Sequence, residues 1–290
     1  MTQIINDFRE ISNNFRAIFC DLWGCLHNGK KSFPESLAAL SSFRKAGGVV
    51  ILLTNAPRPK TSVSQYINQL GISEDFYDDL ITSGDAARFS FFSGKFGTQV
   101  FHIGPSRDLC FFDEMQENKI NSVAVNLVEI SEASCIVCTG LFNDRIEHPS
   151  DYKTILKEGV KRSLSLLCAN PDIQVDYGKE RLWCAGALAA LYTEAGGSSI
   201  YFGKPHKPIY DLALTRIKQI NPDIETHDVL CIGDGINTDI LGGLESNMKT
   251  LFVCGGLSRD EISINRITDL PDEKKLKSFI KACGVKLRAL

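Results

Sequence analysis

Nine short runs rich in β-branched and other apolar residues recur along the chain: AIFCDL, VVILLTN, LITSG, QVFHIG, CIVCTG, LSLLCAN, SIYFG, VLCIGDG and TLFVCGG. Longer amphipathic stretches separate them, and such alternation predicts a parallel sheet with helices on both faces. PESLAALSSFRKAGG opens on Pro34 and stops at Gly47 and Gly48, so it reads as a helix with proline at its start and glycine past its end. KPIYDLALTRIKQINP spaces its apolar residues by three and four before Asn221 and Pro222, and reads as a second helix. The acidic, irregular stretch CFFDEMQENKINSVAVNLVEISEAS lies mid-chain, and the strands with polar punctuation at their ends lie outside it, which suggests a central insertion.

A length of 290 residues suits two linked units, and no fixed-period repeat or low-complexity segment interrupts them. Lys and Arg total 32 against 35 Asp and Glu, a net charge of −3, so no basic stripe is available to track a nucleic-acid backbone. The apolar runs are far too short to cross a bilayer, and the N-terminus MTQIINDFREISNNFR lacks the basic-then-apolar order of a secretory signal. The ten cysteines stand singly in apolar runs, which fits a reducing cytoplasm. Cys135 and Cys138 have redox or zinc spacing, yet no second pair stands at finger distance and their run reads as a buried strand, so packing is the reading taken.

In an open α/β sheet, ligands bind beyond the carboxyl ends of the strands, where the following helices aim their N-termini. After AIFC come Asp21, Leu22, Trp23 and Gly24; after VVILL come Thr54 and Asn55. After SIYF come Gly203, Lys204 and Pro205; after VLCI come Gly233, Asp234 and Gly235, with Asp239 close behind. Each has a plain alternative: turn aspartates for Asp21 and Asp234, a helix cap for Thr54 and Asn55, a solvated surface charge for Lys204. Four separate strand ends each supplying a group suited to one phosphate and one divalent cation is hard to obtain from turn chemistry alone.

The stretches DLWGCLHNG, LLTNAPRP, TSGDAA, ANPD, FGKPHKPIY and GDGINTDILGG follow one another from residue 21 to residue 243. In that order they resemble the haloacid dehalogenase (HAD) superfamily of hydrolases, and within it the capped subfamily IIA phosphatases. The resemblance implies a Rossmann-like parallel α/β core over residues 1–84 and 183–290, with an α/β cap of the C2 type at residues 85–182 that closes over the site and sets substrate choice. It implies phosphatase chemistry in which Asp21 attacks phosphorus to form an aspartyl-phosphate. Mg²⁺ would be held by Asp21, Asp234 and the backbone carbonyl of Trp23, with Lys204 and Thr54 completing the catalytic set. Thr54, Asn55 and Lys204 would bind phosphate, while Asp239 and Asn237 would support them. Asp239 also reads plainly as an acid in the first turn of a helix. The implied partner is a small phosphorylated metabolite such as a sugar phosphate, nucleotide or cofactor phosphate, with no nucleic acid and no membrane; assembly would be a homo-oligomer through the cap.

One position departs from the pattern. Most phosphatases of this superfamily carry a second aspartate two residues after the nucleophile, as general acid and then base, and here that residue is Trp23. A positioned acid or base is worth roughly a hundred- to ten-thousand-fold. Three readings follow: a slow or specialised phosphatase, in which His27 is the nearest titratable substitute; a regulatory module that still binds Mg²⁺ and phosphate without turnover; and a metal-independent dehalogenase. The Asp234 and Asp239 pair, which a metal site wants, ranks the last of these low. His102, His148, His206 and His227 form no ligand spacing, though His206 follows the GKP turn and so stands near the site entrance. Asn170 and Asp172 fall at the cap-to-core junction by resemblance, or form a simple turn.

Overall fold

The structure is a computed structural model that describes residues 3–113, 124–178, 180–264 and 270–285. Its strands are β1 (Ala17–Cys20), β2 (Val49–Thr54), β3 (Asp79–Thr82), β4 (Gln99–Ile103), β5 (Asn126–Leu127), β6 (Cys135–Cys138), β7 (Ser165–Cys168), β8 (Gln174–Tyr177), β9 (Glu180–Trp183), β10 (Ser198–Tyr201), β11 (Val229–Gly233) and β12 (Lys249–Phe252). The α-helices are α1 (Pro34–Lys45), α2 (Lys60–Gln69), α3 (Ser83–Ser90), α4 (Lys153–Lys161), α5 (Ala185–Glu194), α6 (Lys207–Ile220), α7 (Leu241–Glu245) and α8 (Glu273–Ala282).

The nine apolar runs all become strands, but in two parallel sheets rather than one: β12-β11-β1-β2-β3 and β10-β7-β6-β4-β5. The antiparallel hairpin β8-β9 stands apart. In the first sheet, β1 and β2 are buried along their whole length, as strands covered on both faces must be. Their side chains alternate between two cores. Ile18, Cys20, Val50 and Leu52 meet Leu37, Leu40 and Phe43 of α1. Phe19, Ile51 and Leu53 face Ile209, Ala213 and Ile217 of α6. That second cluster continues into Val137 and Leu167 of the second sheet, whose far side packs on α4 and α5 through Leu156, Leu188 and Tyr192.

Both helices anticipated from spacing form, with α1 starting on Pro34 and α6 ending at Ile220 before Asn221. Cys135 and Cys138 point into different clusters on opposite faces of β6, and the cysteines are free thiols, so the pair packs rather than reacting. Much of the irregular mid-chain stretch, residues 114–123, lies outside the described residues. No helix among the described residues is long and apolar enough to cross a membrane.

Candidate active site

The parallel register of β2, β1 and β11 brings three chain reversals to the same edge of the first sheet. Asp21 follows β1, Thr54 ends β2, and Asp234 follows β11. Asp239 arrives from the tight helical turn Ile236–Ile240, and Lys204 from the loop between β10 and α6. The Lys204 ammonium donates to Asp21 Oδ1 at 2.6 Å, to Asp239 Oδ1 at 2.7 Å and to the Leu53 carbonyl at 2.9 Å. Ligand atoms of Asp21, Asp234 and Cys25 all lie within 4.8 Å of one another. Five sequence-selected residues, Asp21, Trp23, Lys204, Asp234 and Asp239, line one cavity of about 230 Å³.

Burial dominates the electrostatics. It pushes the Asp21 carboxyl well above the usual range, with Lys204 opposing and Asp239 and Asp234 adding repulsion. Asp234 is pushed up to about 7 by burial and then by Asp239, against one backbone hydrogen bond from Leu257 N–H at 2.7 Å. For Lys204 burial works the other way, but Asp21 and Asp239 outweigh it and hold the ammonium above its ordinary range. Two carboxylates thus pair with one ammonium while Asp234 stands beside Asp21 without an ion pair of its own, and the repulsion left over is what a cation would relieve. The oxygen donors of Asp21 and Asp234 fit a hard divalent ion such as Mg²⁺. Cys25 does not add to them, since burial and the Asp234 charge raise its pKa and keep it a neutral thiol.

Backbone shape fixes this cluster. Gly24 adopts φ +72°, and a Cβ there would lie 1.8 Å from Asp234 Oδ2, so only glycine lets the Asp21 loop pass so close to Asp234. Asn55 acts from behind: Lys204 N–H donates to its Oδ1 at 2.7 Å, and its Nδ2 donates to the Lys204 carbonyl at 3.1 Å and to Asp172 Oδ1 at 2.8 Å. Its carboxamide is therefore engaged with protein groups. Thr54 is buried, accepts from Ala56 N–H at 3.2 Å, and like Asn55 does not line the cavity. Asn237 is exposed and also lies outside the cavity lining.

Trp23 occupies the cavity wall. Its indole meets the His27 ring edge-on at 4.9 Å and Tyr177 of β8 at 6.1 Å between centroids, while Gly178 N–H donates to the Asn28 carbonyl at 3.0 Å. The hairpin thus rests on the loop that carries Asp21. His27 is unsuited to proton donation: it is wholly buried, its Nδ1 accepts from Gly29 N–H at 2.9 Å, and burial lowers its pKa to about 4, so it is neutral near pH 7. His206 stacks on Tyr201 at 4.8 Å and does not line the cavity.

ANPD forms a turn. Asn170 Oδ1 accepts from Asp172 N–H at 3.0 Å, forming a local turn, and that turn delivers Asp172 to the cavity. Sequence reasoning missed Gln174, Asp176 and Arg259, which also line it. Proximity to ANPD was a usable signal for the first two; nothing local marked Arg259. A second cavity of about 790 Å³ lies among apolar residues such as Ile4, Phe8, Ile240, Phe252 and Leu276, but none of Asp21, Lys204, Asp234 or Asp239 lines it.

Comparison with known proteins identifies relatives of the whole chain. Residues 18–117 match the haloacid dehalogenase-like hydrolase family model and residues 201–273 a second HAD-hydrolase-like model. A solved haloacid dehalogenase-like hydrolase from Brucella suis 1330 is 40% identical, with a TM-score of 0.80 over 86% of this chain and 92% of that one. The ribonucleotide monophosphatase NagD of Escherichia coli K12 is 22% identical over 88% of this chain and 92% of its own length. A dihydroxyacetone phosphatase of Corynebacterium glutamicum is 34% identical over 37% of this chain, a match that spans only 41% of that protein. The chain belongs to the haloacid dehalogenase-like hydrolase family.

Proposed function

We propose that this protein is a Mg²⁺-dependent phosphatase that hydrolyses a small phosphate monoester through an aspartyl-phosphate on Asp21. The observation that carries the reading is the buried convergence of Asp21 and Asp239 on the Lys204 ammonium, Nζ lying 2.6 Å from Asp21 Oδ1, with Asp234 beside Asp21. Asp21 is the nucleophile: its oxygen bonds to phosphorus as the ester oxygen leaves, and water then cleaves the acyl phosphate. Lys204 offsets the negative charge gathered between nucleophile and phosphate, and Asp239 fixes the direction of its ammonium. Asn55 supports the site by setting the Lys204 loop, and Thr54 stands beside it, outside the cavity lining, accepting from Ala56 N–H. Asp21, Asp234 and the Trp23 carbonyl would hold Mg²⁺. When bound, the ion supplies a Lewis acid for the phosphoryl oxygens.

The cavity of about 230 Å³ suits a compact substrate, since pockets for drug-sized ligands run from about 300 Å³ upward. A small sugar phosphate or triose phosphate is the class favoured, in keeping with the name of one relative, a dihydroxyacetone phosphatase. Substrate choice belongs to the inserted unit. We place its end near residue 202 rather than 182, because β10 pairs with β7 of the second sheet. Assembly into a homo-oligomer through this unit and a cytoplasmic location belong to the same proposal.

The test is phosphate release from p-nitrophenyl phosphate with Mg²⁺, abolished by Asp21→Asn. Trp23 at the general-acid position favours one second reading, a binding module without turnover; phosphate binding with no release across a broad ester panel would select it. Halide release without metal would select a dehalogenase.

A further inference from the structure

We propose that Asp172 does the proton work that Trp23 cannot, as general acid to the departing oxygen and then as general base to water. The proposal rests on the phosphatase reading above and concerns the same cavity. Asp172 lines that cavity together with Asp21, Lys204 and Asp234, yet it comes from the segment joining β7 to β8. Its position is set from three sides. Its N–H donates to Asn170 Oδ1 at 3.0 Å, its carbonyl accepts from Gly186 N–H at 3.1 Å, and its Oδ1 accepts from Asn55 Nδ2 at 2.8 Å. Among the described residues no hydrogen bond is made to its Oδ2, so one carboxyl oxygen is unclaimed.

The other titratable groups of the cavity are committed elsewhere. Asp239 is bonded to Lys204 and to Gly235 N–H, and Asp234 accepts from Leu257 N–H. Asp176 is paired with Arg181 by contacts of 2.7 and 3.1 Å. His27 does not line the cavity. The charged groups that act on Asp172 are Lys204 and Asp239, and Asp172 in turn acts on Asp234. Burial raises its pKa, against Lys204 and the Asn55 hydrogen bond and with Asp239, which favours a carboxyl that holds a proton to give.

In the first step the Asp21 oxygen bonds to phosphorus, the bond from phosphorus to the ester oxygen breaks, and the Asp172 proton passes to that oxygen. An alcohol departs and Asp172 is left as carboxylate. In the second, water bonds to phosphorus while its proton passes to Asp172. The bond to Asp21 breaks, releasing inorganic phosphate and restoring both aspartates.

The experiment compares kcat/KM for p-nitrophenyl phosphate, whose leaving group needs no proton, with glycerol phosphate, whose leaving group does, using full-length protein with Mg²⁺. Asp172→Asn keeps the acceptor for Asn55 but has no proton to give. It should lose about a hundred-fold or more on glycerol phosphate and little on p-nitrophenyl phosphate, with partial recovery in Asp172→Glu. Equal losses on both substrates would assign Asp172 a purely structural role through Asn55, and no loss on either would also overturn the proposal. The unmodified protein gives an independent check that needs no variant to fold: across aryl and alkyl phosphates its kcat/KM should vary shallowly with leaving-group pKa, and a steep dependence would mean that no acid assists departure. Failure of the phosphatase reading looks different, since then neither substrate is turned over or Asp21→Asn leaves turnover intact, and both proposals fall together.

Discussion

Asn55 and Lys204 clasp one another by a reciprocal pair of hydrogen bonds, amide to carboxamide oxygen at 2.7 Å and carboxamide nitrogen to carbonyl at 3.1 Å. The clasp ties the end of β2 to the loop after β10, and so aims an ammonium carried by that loop at the Asp21 carboxylate just past the end of β1. Gly203 makes room for it, since a Cβ there would lie 2.4 Å from Asn55 Oδ1. Replacing Asn55 by Ala leaves the buried Lys204 N–H unpaired, at a cost of about 1–3 kcal/mol. It also frees the ammonium to drift, and misplacement by about 1 Å is worth around a hundred-fold in rate. Steady-state kinetics and urea unfolding of Asn55→Ala should show both losses. Full kcat in this variant would mean that the side-chain bonds of Lys204 alone suffice to hold it.

Asp234 gives the metal-free protein a defined pH response. Its carboxyl titrates at about 7 in the folded protein against 3.8 when unconstrained, chiefly through burial and then Asp239. Between those two values the folded state holds a proton that the unfolded chain has already released. Stability therefore falls as pH rises across this window and stops falling, on this account, above about 7. Asp21, raised for the same reason, acts in the same direction. Urea unfolding in a chelator should show the decline, and Asp234→Asn should flatten it and leave the metal-free protein more stable near neutrality. Because Mg²⁺ binds the ionised carboxylate, the thermal upshift it produces should grow with pH over the same interval and be absent in Asp234→Asn.

The contact between Gly24 and Asp234 offers a sharper probe of the cation site, because it changes shape without removing a ligand. A side chain at Gly24 meets two penalties at once: a left-handed backbone at φ +72°, costing about 1–2 kcal/mol, and a Cβ placed 1.8 Å from Asp234 Oδ2. Relief requires Asp234 to move. Gly24→Ala should therefore fold with reduced stability, lose the Mg²⁺-induced thermal upshift and lose turnover, although all three carboxylates remain. An unchanged upshift would mean that Asp234 is not part of the cation site.

Which parts of this site were legible in the sequence follows from how local each signal was. Asp21, Thr54 and Asp234 stand where an apolar run ends, so strand recognition placed them at one sheet edge, and Lys204 followed the same rule. The two sheets were not separable by that rule, because β1 and β6 have the same apolar texture; only pairing assigns β10 to β7 rather than to the first sheet. The work of Asn55 was hidden because its partners Asp172 and Lys204 lie 117 and 149 positions away. Arg259 was invisible since a lone arginine after a glycine-rich turn carries no pattern until the chain folds back over Asp234.

Trp23 and Tyr177 join the nucleophile loop to the β8-β9 hairpin. Their rings lie 6.1 Å apart at 44°, Lys30 Nζ lies 5.2 Å from the Tyr177 ring centroid, and Gly178 N–H donates to the Asn28 carbonyl at 3.0 Å, so these contacts dock the β8-β9 hairpin on the nucleophile loop. A carboxylate at position 23 would forfeit the contact between the two rings. If the indole serves to seat the hairpin over the cavity, Trp23→Ala and Tyr177→Ala remove the same contact, and their effects on stability should fall short of additivity by about 0.5–1.5 kcal/mol. Each should raise KM more than it lowers kcat, since a loosened hairpin weakens cover over bound substrate while leaving Asp21 and Lys204 in place. The backbone bond survives both substitutions, so the hairpin still forms and the comparison stays within one fold. Additivity within about 0.3–0.5 kcal/mol would place Trp23 in the loop's own packing, against His27, and leave the hairpin seated by other contacts.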